Sequence, residues 1–178
     1  MISSGIWMVL TVIAKWLPHT ANYSPEIAMT VYLASRYRFL TASLLTLITV
    51  EIADIGLALF YHYSVLGWWS LFNAISLLLI IGFFARPWLK WRFLDVIGRV
   101  FCAALFYWLV TNLGVWLSSG YYPLVLSGLI ACYDMALPFL PAQLLSAVAF
   151  AALWVVLEWV IKAKGMQNRM KLRYKTLS

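Results

Sequence analysis

Residues 39–60 read FLTASLLTLITVEIADIGLALF, an apolar run interrupted by only two acids. A hydrocarbon core about 30 Å thick needs roughly 20 apolar residues in one helix. Three further runs come close to that length: residues 66–84, 96–117 and 142–161. Because the runs are continuous rather than alternating in polarity, they exclude a transmembrane barrel and predict spanning helices, which satisfy their own backbone hydrogen bonds.

The composition agrees with a chain that folds in lipid. Hydrophobic residues make up 65% of the sequence and charged residues 11%, too few to cover a water-facing surface. The length leaves room for six spans and short loops. We therefore expect an all-α integral membrane protein, with one six-helix transmembrane domain over residues 1–161 and a basic cytoplasmic tail over residues 162–178. The first run, residues 2–17, lacks a basic start and a small-residue cleavage site, which favours a retained span over a signal peptide.

The positive charges predict the topology. Twelve of the 13 lysines and arginines fall within residues 36–38, 86–99 and 162–175. The positive-inside rule places these clusters in the cytoplasm, with both termini inside. The same distribution explains the net charge of +7 without nucleic acid, through topology and contact with membrane lipids. Lys15 lies outside the clusters.

Two segments depart from simple spans. Residues 118–141 contain enough apolar residues to suggest a further crossing. That crossing would leave the basic tail outside, so we expect an outer loop with a short helix instead. Ser24-Pro25-Glu26 has the residues of a helix start. The helix that it opens, over residues 25–37, is the second of the six expected spans and is short. Such a helix either borders a binding cavity or reflects tilt and local thinning of the bilayer.

Polar and aromatic residues gather on the outer side of this topology. The aromatic belt of membrane interfaces explains many of them. It does not explain both histidines, two outer acids or amides and one of two cysteines, and polar groups within an aromatic wall are typical of a small-molecule site. The candidate ligand-binding residues are His19, Asn22, Tyr23, Glu51, Asp54, His62, Asn112, Trp116, Cys132, Tyr133 and Asp134.

Glu51 and Asp54 are the most unusual of these residues, because an ionisable side chain within a span costs several kcal/mol unless it has a partner. Their spacing places them on one helix face. They could contact a ligand, an ion or a proton relay, or form an interior polar cluster with Asn73, Thr111 or Asn112. Glu158, by contrast, is explained by a pair with Lys162 one turn later.

No catalytic or metal motif is present in the sequence. His19, His62 and Cys132 lack a zinc-site spacing, and no P-loop, HExxH or Gly-x-Ser-x-Gly occurs. We therefore expect no enzyme activity, no cofactor and no metal, and any ATP-driven step would come from another chain.

Three motifs carry a family resemblance. They are Pro18-His19-x-x-Asn22-x-x-Pro25, Thr111-Asn112-x-Gly114-Val115-Trp116 and Gly128-x-x-x-Cys132-Tyr133-x-x-Ala136-x-Pro138-Phe139. Together they resemble an uncharacterised family of small bacterial inner-membrane proteins. That family is similar in layout to the substrate-binding (S) components of energy-coupling-factor (ECF) vitamin transporters. The chain departs from S components in the first helix, which lacks their Ala-x-x-x-Ala docking face; the nearest such pair is Ala147 and Ala151.

The resemblance implies a solute-binding uptake component for a vitamin-like or cofactor-like molecule, held in an outward-facing aromatic pocket. Its partners would be the solute, membrane lipids and an energising transmembrane subunit with ATPases. The alternatives are a structural or assembly subunit of a larger membrane complex, and, third, a membrane enzyme that uses Glu51, Asp54 or His62 as acid or base.

Overall fold

The structure is a computed structural model that describes residues 4–17, 22–62, 67–84 and 93–175, without the side chains of Trp68, Lys162 and residues 165–175. Within these ranges the chain is helical and has no strand. The helices are α1 (Ser4–Trp16), α2 (Glu26–Arg36), α3 (Phe39–Tyr61), α4 (Trp68–Phe84), α5 (Phe93–Ser118), α6 (Leu126–Ala136) and α7 (Leu140–Lys175), and a 3-10 turn (Leu137–Phe139) joins α6 to α7.

Three helical segments are long and apolar enough to cross a membrane: Phe39–Tyr61, Phe93–Ser118 and Leu126–Ile161. Shorter apolar helices cover Ser4–Trp16 and Trp69–Phe84. This length and composition indicate a membrane protein. The last of the three segments includes the turn between α6 and α7, so these two helices follow each other almost without interruption.

α3 shows how the bundle divides lipid from interior. Its exposed face carries large apolar side chains at helical spacing: Leu44, Ile48, Ile52, Ile55 and Leu59. Apart from Val50, its buried face is made of small and hydroxyl-bearing residues: Ala42, Ser43, Thr46, Thr49 and Ala53. Small residues let helices approach closely where lipid leaves little hydrophobic driving force between them. The hydroxyl of Thr49 donates to the Leu45 carbonyl at 2.7 Å, within its own helix.

α2 lies at the centre of the bundle. Of its 11 residues, nine are buried, and it packs against α1, α3, α4, α5 and α7. The backbone N–H of Glu26 donates to the Ser24 hydroxyl at 3.3 Å, as the Ser-Pro-Glu start predicts. At about 1.5 Å per residue, this helix is shorter than the hydrocarbon core is thick, so it can cross the bilayer only where the bilayer is locally thinned.

The segment expected as an outer loop, residues 118–141, contains the predicted short helix, α6. Pro138 lies in the 3-10 turn after α6, and Pro141 lies in the first turn of α7. α7 then continues to Lys175, so the expected tail begins as an extension of the last helix rather than as a separate segment.

A row of side chains connects α2 to α7 at the end of α2. The ring of Tyr32 meets that of Trp154 edge-on at 4.6 Å, and the Arg36 guanidinium lies 4.9 Å from the Tyr32 ring centre. Arg36 Nη2 donates to Glu158 Oε1 at 2.8 Å. Glu158 thus pairs with a residue distant in sequence; the Lys162 side chain, its expected partner, lies outside the described residues.

Candidate functional site: a polar cavity in the bundle

A cavity of about 490 Å³ opens at the end of the bundle where α2 begins. Six helices, α1 to α5 and α7, and the segment before α2 contribute to it, so its wall brings together residues from most of the chain. The lining residues are Lys15, Asn22, Glu26, Asp54, Trp69, Phe72, Asn73, Tyr107, Thr111, Asn112, Val115 and Gln143.

Lys15 joins two carboxylates in the cavity wall. Its Nζ donates to Asp54 Oδ1 at 2.7 Å and lies 2.9 Å from Glu26 Oε2. The three side chains are between 7% and 21% exposed, so they are largely removed from solvent. Isolated charges at such depth would be costly, and mutual pairing offsets this cost. Glu26 gains further from its place in the first turn of α2, where the helix dipole favours an acid.

Tyr107 extends this ion cluster to α4 and α5. Its hydroxyl lies 2.9 Å from Glu26 Oε1 and 2.8 Å from Asn73 Oδ1. A phenol has one proton and can donate to only one acceptor, and the Glu26 carboxylate is the stronger of the two. Rotation of the Asn73 amide would let its NH₂ donate to the phenol oxygen, which satisfies all three groups. The cluster thereby connects α1, α2, α3, α4 and α5.

Two amides in the wall have a fixed orientation. Asn112 Nδ2 donates to the Trp108 carbonyl and Gln143 Nε2 donates to the Ala104 carbonyl, each at 2.8 Å. Because a backbone carbonyl only accepts, each amide must direct its nitrogen there and keeps its oxygen for another donor. Asn22 reaches the cavity from a left-handed backbone conformation, φ 62°, which asparagine tolerates better than most residues.

Two glycines of the family-like motifs permit close approaches near this site. A Cβ at Gly114 would overlap the ring of Phe72, which lines the cavity. A Cβ at Gly128 would overlap the Pro123 carbonyl. That carbonyl also accepts the indole N–H of Trp116 at 3.0 Å. Both glycines therefore have a packing reason for being present.

Three of the ligand-binding residues predicted from the sequence line the cavity: Asn22, Asp54 and Asn112. Asp54 has a polar partner inside the bundle, but this partner is Lys15 rather than the amides or threonine of the neighbouring helices. Glu51, one turn away on α3, is half-buried and does not line the cavity.

The structure places the other proposed contacts elsewhere. His62 and Asp134 are exposed, His62 at the end of α3 with φ 56°. The ring of Tyr23 packs against Phe150, and Trp116 bonds to the Pro123 carbonyl. His19 lies outside the described residues.

Cys132 and Tyr133 hold α6 against α5. The Cys132 thiol is buried and donates to the Asn112 carbonyl at 3.5 Å. The Tyr133 hydroxyl donates to the Leu109 carbonyl at 2.7 Å, and its ring packs edge-on against Trp108. Their polar atoms thus bond to the backbone of α5.

Sequence reasoning missed Lys15, Glu26, Tyr107 and Gln143 as cavity residues. Lys15 carried a signal, because it is the one lysine or arginine outside the three basic clusters. Glu26 was explained as an acid at the start of a helix, and it does lie in the first turn of α2. Its contact with Lys15 adds a second role, in the ion cluster of the cavity wall. Tyr107 and Gln143 lie in apolar runs and had no distinguishing pattern.

The fold and the cavity define a small all-helical membrane protein with an internal polar site. A family model matches residues 1–168, and the chain belongs to that family, the family of unknown function DUF6580. No curated protein and no solved structure matches the chain. These comparisons show no similarity to S components of ECF transporters, so that resemblance stays a prediction.

Proposed function

We propose that this chain is a solute-binding uptake protein of the bacterial inner membrane, for a vitamin-like or cofactor-like small molecule. The observation that supports the proposal most directly is the cavity of about 490 Å³ with buried charges and amides in its wall. Small-molecule sites typically have about 300–1,000 Å³ and combine apolar walls with a few polar groups.

The lining divides into two kinds of contact. Trp69 and Phe72 offer aromatic surface for apolar burial. Asn22, Asn112 and Asp54 offer polar atoms that would fix the orientation of the solute, since a mismatched ligand would leave them unpaired. Access to the cavity would be from the outer face, beside the segment that precedes α2.

The proposal includes a six-span topology with both termini in the cytoplasm and α6 at the outer surface. Uptake would require an energising partner or a conformational cycle of the chain itself. The Ala147 and Ala151 pair is unsuited to dock an ECF-type subunit, because both residues have no exposed surface in the bundle. Any such partner would bind another face.

The topology can be tested by cysteine labelling. In a background with Cys102→Ala and Cys132→Ser, single cysteines at Asn22 and Tyr121 should react with a membrane-impermeant maleimide added to intact cells. A cysteine at Lys164 should react only after the membrane is permeabilised. Labelling of the Lys164 position from outside would contradict the six-span topology and would make α6 a crossing segment.

The solute-binding proposal is tested by mass spectrometry of the gently purified protein. A small molecule should co-purify with the wild type, and Asn112→Ala should reduce its retention by about tenfold or more, because the lost amide oxygen leaves a polar group of the solute unpaired. Asp134→Asn is the matched control: it changes an exposed polar residue of α6 away from the cavity and should retain the solute fully.

Two results would redirect the proposal. Stoichiometric protein partners without any small molecule would favour the structural-subunit alternative. Equal retention by wild type and Asn112→Ala would place the bound molecule outside this cavity.

A further inference from the structure

Resting on the proposed function, we propose that the cavity binds a small organic cation with N–H donors, such as an ammonium or an amidinium. Three features of the wall lead to this class of solute: its charge balance, its open hydrogen-bond acceptors and its aromatic surface. They come from different helices and from different kinds of side chain.

The charge balance of the wall is negative. Lys15 is the one cation among the described lining residues, against the two carboxylates of Glu26 and Asp54. With all three ionised, the cavity has a net charge of −1. Inside a bundle, where water screens charge weakly, a solute with one positive charge would neutralise this excess, whereas an anion would double it.

Several acceptor atoms of the wall are open to a solute. Lys15 contacts Oδ1 of Asp54, and Oδ2 of the same carboxylate has no hydrogen bond within the described ranges. Asn112 and Gln143 donate through their nitrogens to backbone carbonyls, which leaves both amide oxygens free to accept. Lys15 uses two of its three N–H groups on carboxylates. A solute with N–H donors can use these acceptors, and the carboxylate of Asp54 would repel a carboxylate or phosphate.

The aromatic surface of the wall supplies a further contact for a cation. Trp69 and Phe72 lie on α4, and both line the cavity that contains Asp54 and Asn112. An organic cation is attracted to the face of an aromatic ring, most strongly when both are desolvated. An organic cation also buries apolar surface against these rings, which a compact inorganic ion does not, so the combination favours an organic one.

The inference is tested with three probes of the same shape: benzamidine, benzamide and benzoate. Binding to the purified full-length protein is measured by isothermal titration calorimetry. Benzamidine should bind at least about tenfold more tightly than benzamide, and benzoate should bind most weakly. Asp54→Asn should lower the affinity for benzamidine by about tenfold or more, because it removes one of the two negative charges. Glu51→Gln is the matched control: it neutralises an acid of the same helix outside the cavity and should leave the affinity unchanged.

The outcomes separate this inference from the proposed function. If benzamide or benzoate binds as tightly as benzamidine, if Asp54→Asn keeps full affinity, or if benzamidine does not bind, the cation inference is overturned. The comparison of the three probes on the wild-type protein tests the cation inference even if Asp54→Asn fails to fold. A neutral or anionic molecule that co-purifies with the protein would overturn the cation inference and leave solute binding intact. Absence of both a co-purified molecule and probe binding would overturn both.

Discussion

Replacement of Lys15 by methionine is expected to lower the free energy of unfolding by about 3–5 kcal/mol, because it leaves the carboxylates of Glu26 and Asp54 in the interior without their common partner. Methionine keeps much of the side-chain volume, so the loss reports on charge rather than on packing. The measurement is an unfolding titration of the purified protein with SDS, followed by tryptophan fluorescence. Lys164→Met, which removes an exposed lysine, should change stability by no more than about 0.5 kcal/mol.

A compensated variant separates charge from other causes. Adding Asp54→Asn and Glu26→Gln to Lys15→Met removes all three charges together and should recover most of the lost stability, since the cost comes from uncompensated charge. Full stability of Lys15→Met alone would mean that the two acids are neutral or solvated. In that case the cavity would have no charge cluster, and the reasoning for a cationic solute would lose its basis.

The sequence was sufficient to predict the helical membrane character of the chain. Apolar runs of bilayer length are a local property, readable without knowledge of packing. The start of α2 was equally local, because Ser24, Pro25 and Glu26 each favour a helix terminus for a reason that lies within one turn. The short helix before Pro138 was predicted from the charge distribution instead, because a crossing there would leave the basic tail outside; only its end has a local signal, the two prolines.

The polar cluster could not be predicted because its partners are distant along the chain. Lys15 and Asp54 are separated by 39 positions, and Tyr107 and Glu26 by 81. The sequence showed that Asp54 needed a polar partner in the membrane interior. The choice among Lys15 and several candidate amides and hydroxyls depended on which helices are neighbours, and the apolar runs do not specify this.

The outer aromatic residues illustrate a different difficulty. Tyr133 and Trp116 looked like ligand contacts because tyrosine and tryptophan are common in binding pockets. In the structure their polar atoms bond to the carbonyls of Leu109 and Pro123. An amphipathic ring at the end of a helix can satisfy a backbone carbonyl or a ligand equally well. Composition alone does not distinguish these uses, and only the geometry of the neighbouring backbone does.

A second large effect is expected at the centre of the bundle. Trp154→Ala should lower the free energy of unfolding by about 3–5 kcal/mol, because Trp154 is 2% exposed and its removal leaves a cavity beside Tyr32 on α2. The effect should extend to Arg36, which lies over the same Tyr32 ring and pairs with Glu158. The same SDS titration measures it.

Trp159 on the same helix provides the matched control. It is 54% exposed, on the face of α7 that would meet lipid, so Trp159→Ala should cost no more than about 0.5 kcal/mol. The two variants delete the same side chain within about one and a half turns, and they differ in whether the ring packs against α2. If both cost the same, α2 does not occupy the centre of the bundle. Glu26 would then have no fixed support from its own helix, and the cavity at its N-terminus would lose the element that holds one of its two carboxylates in place.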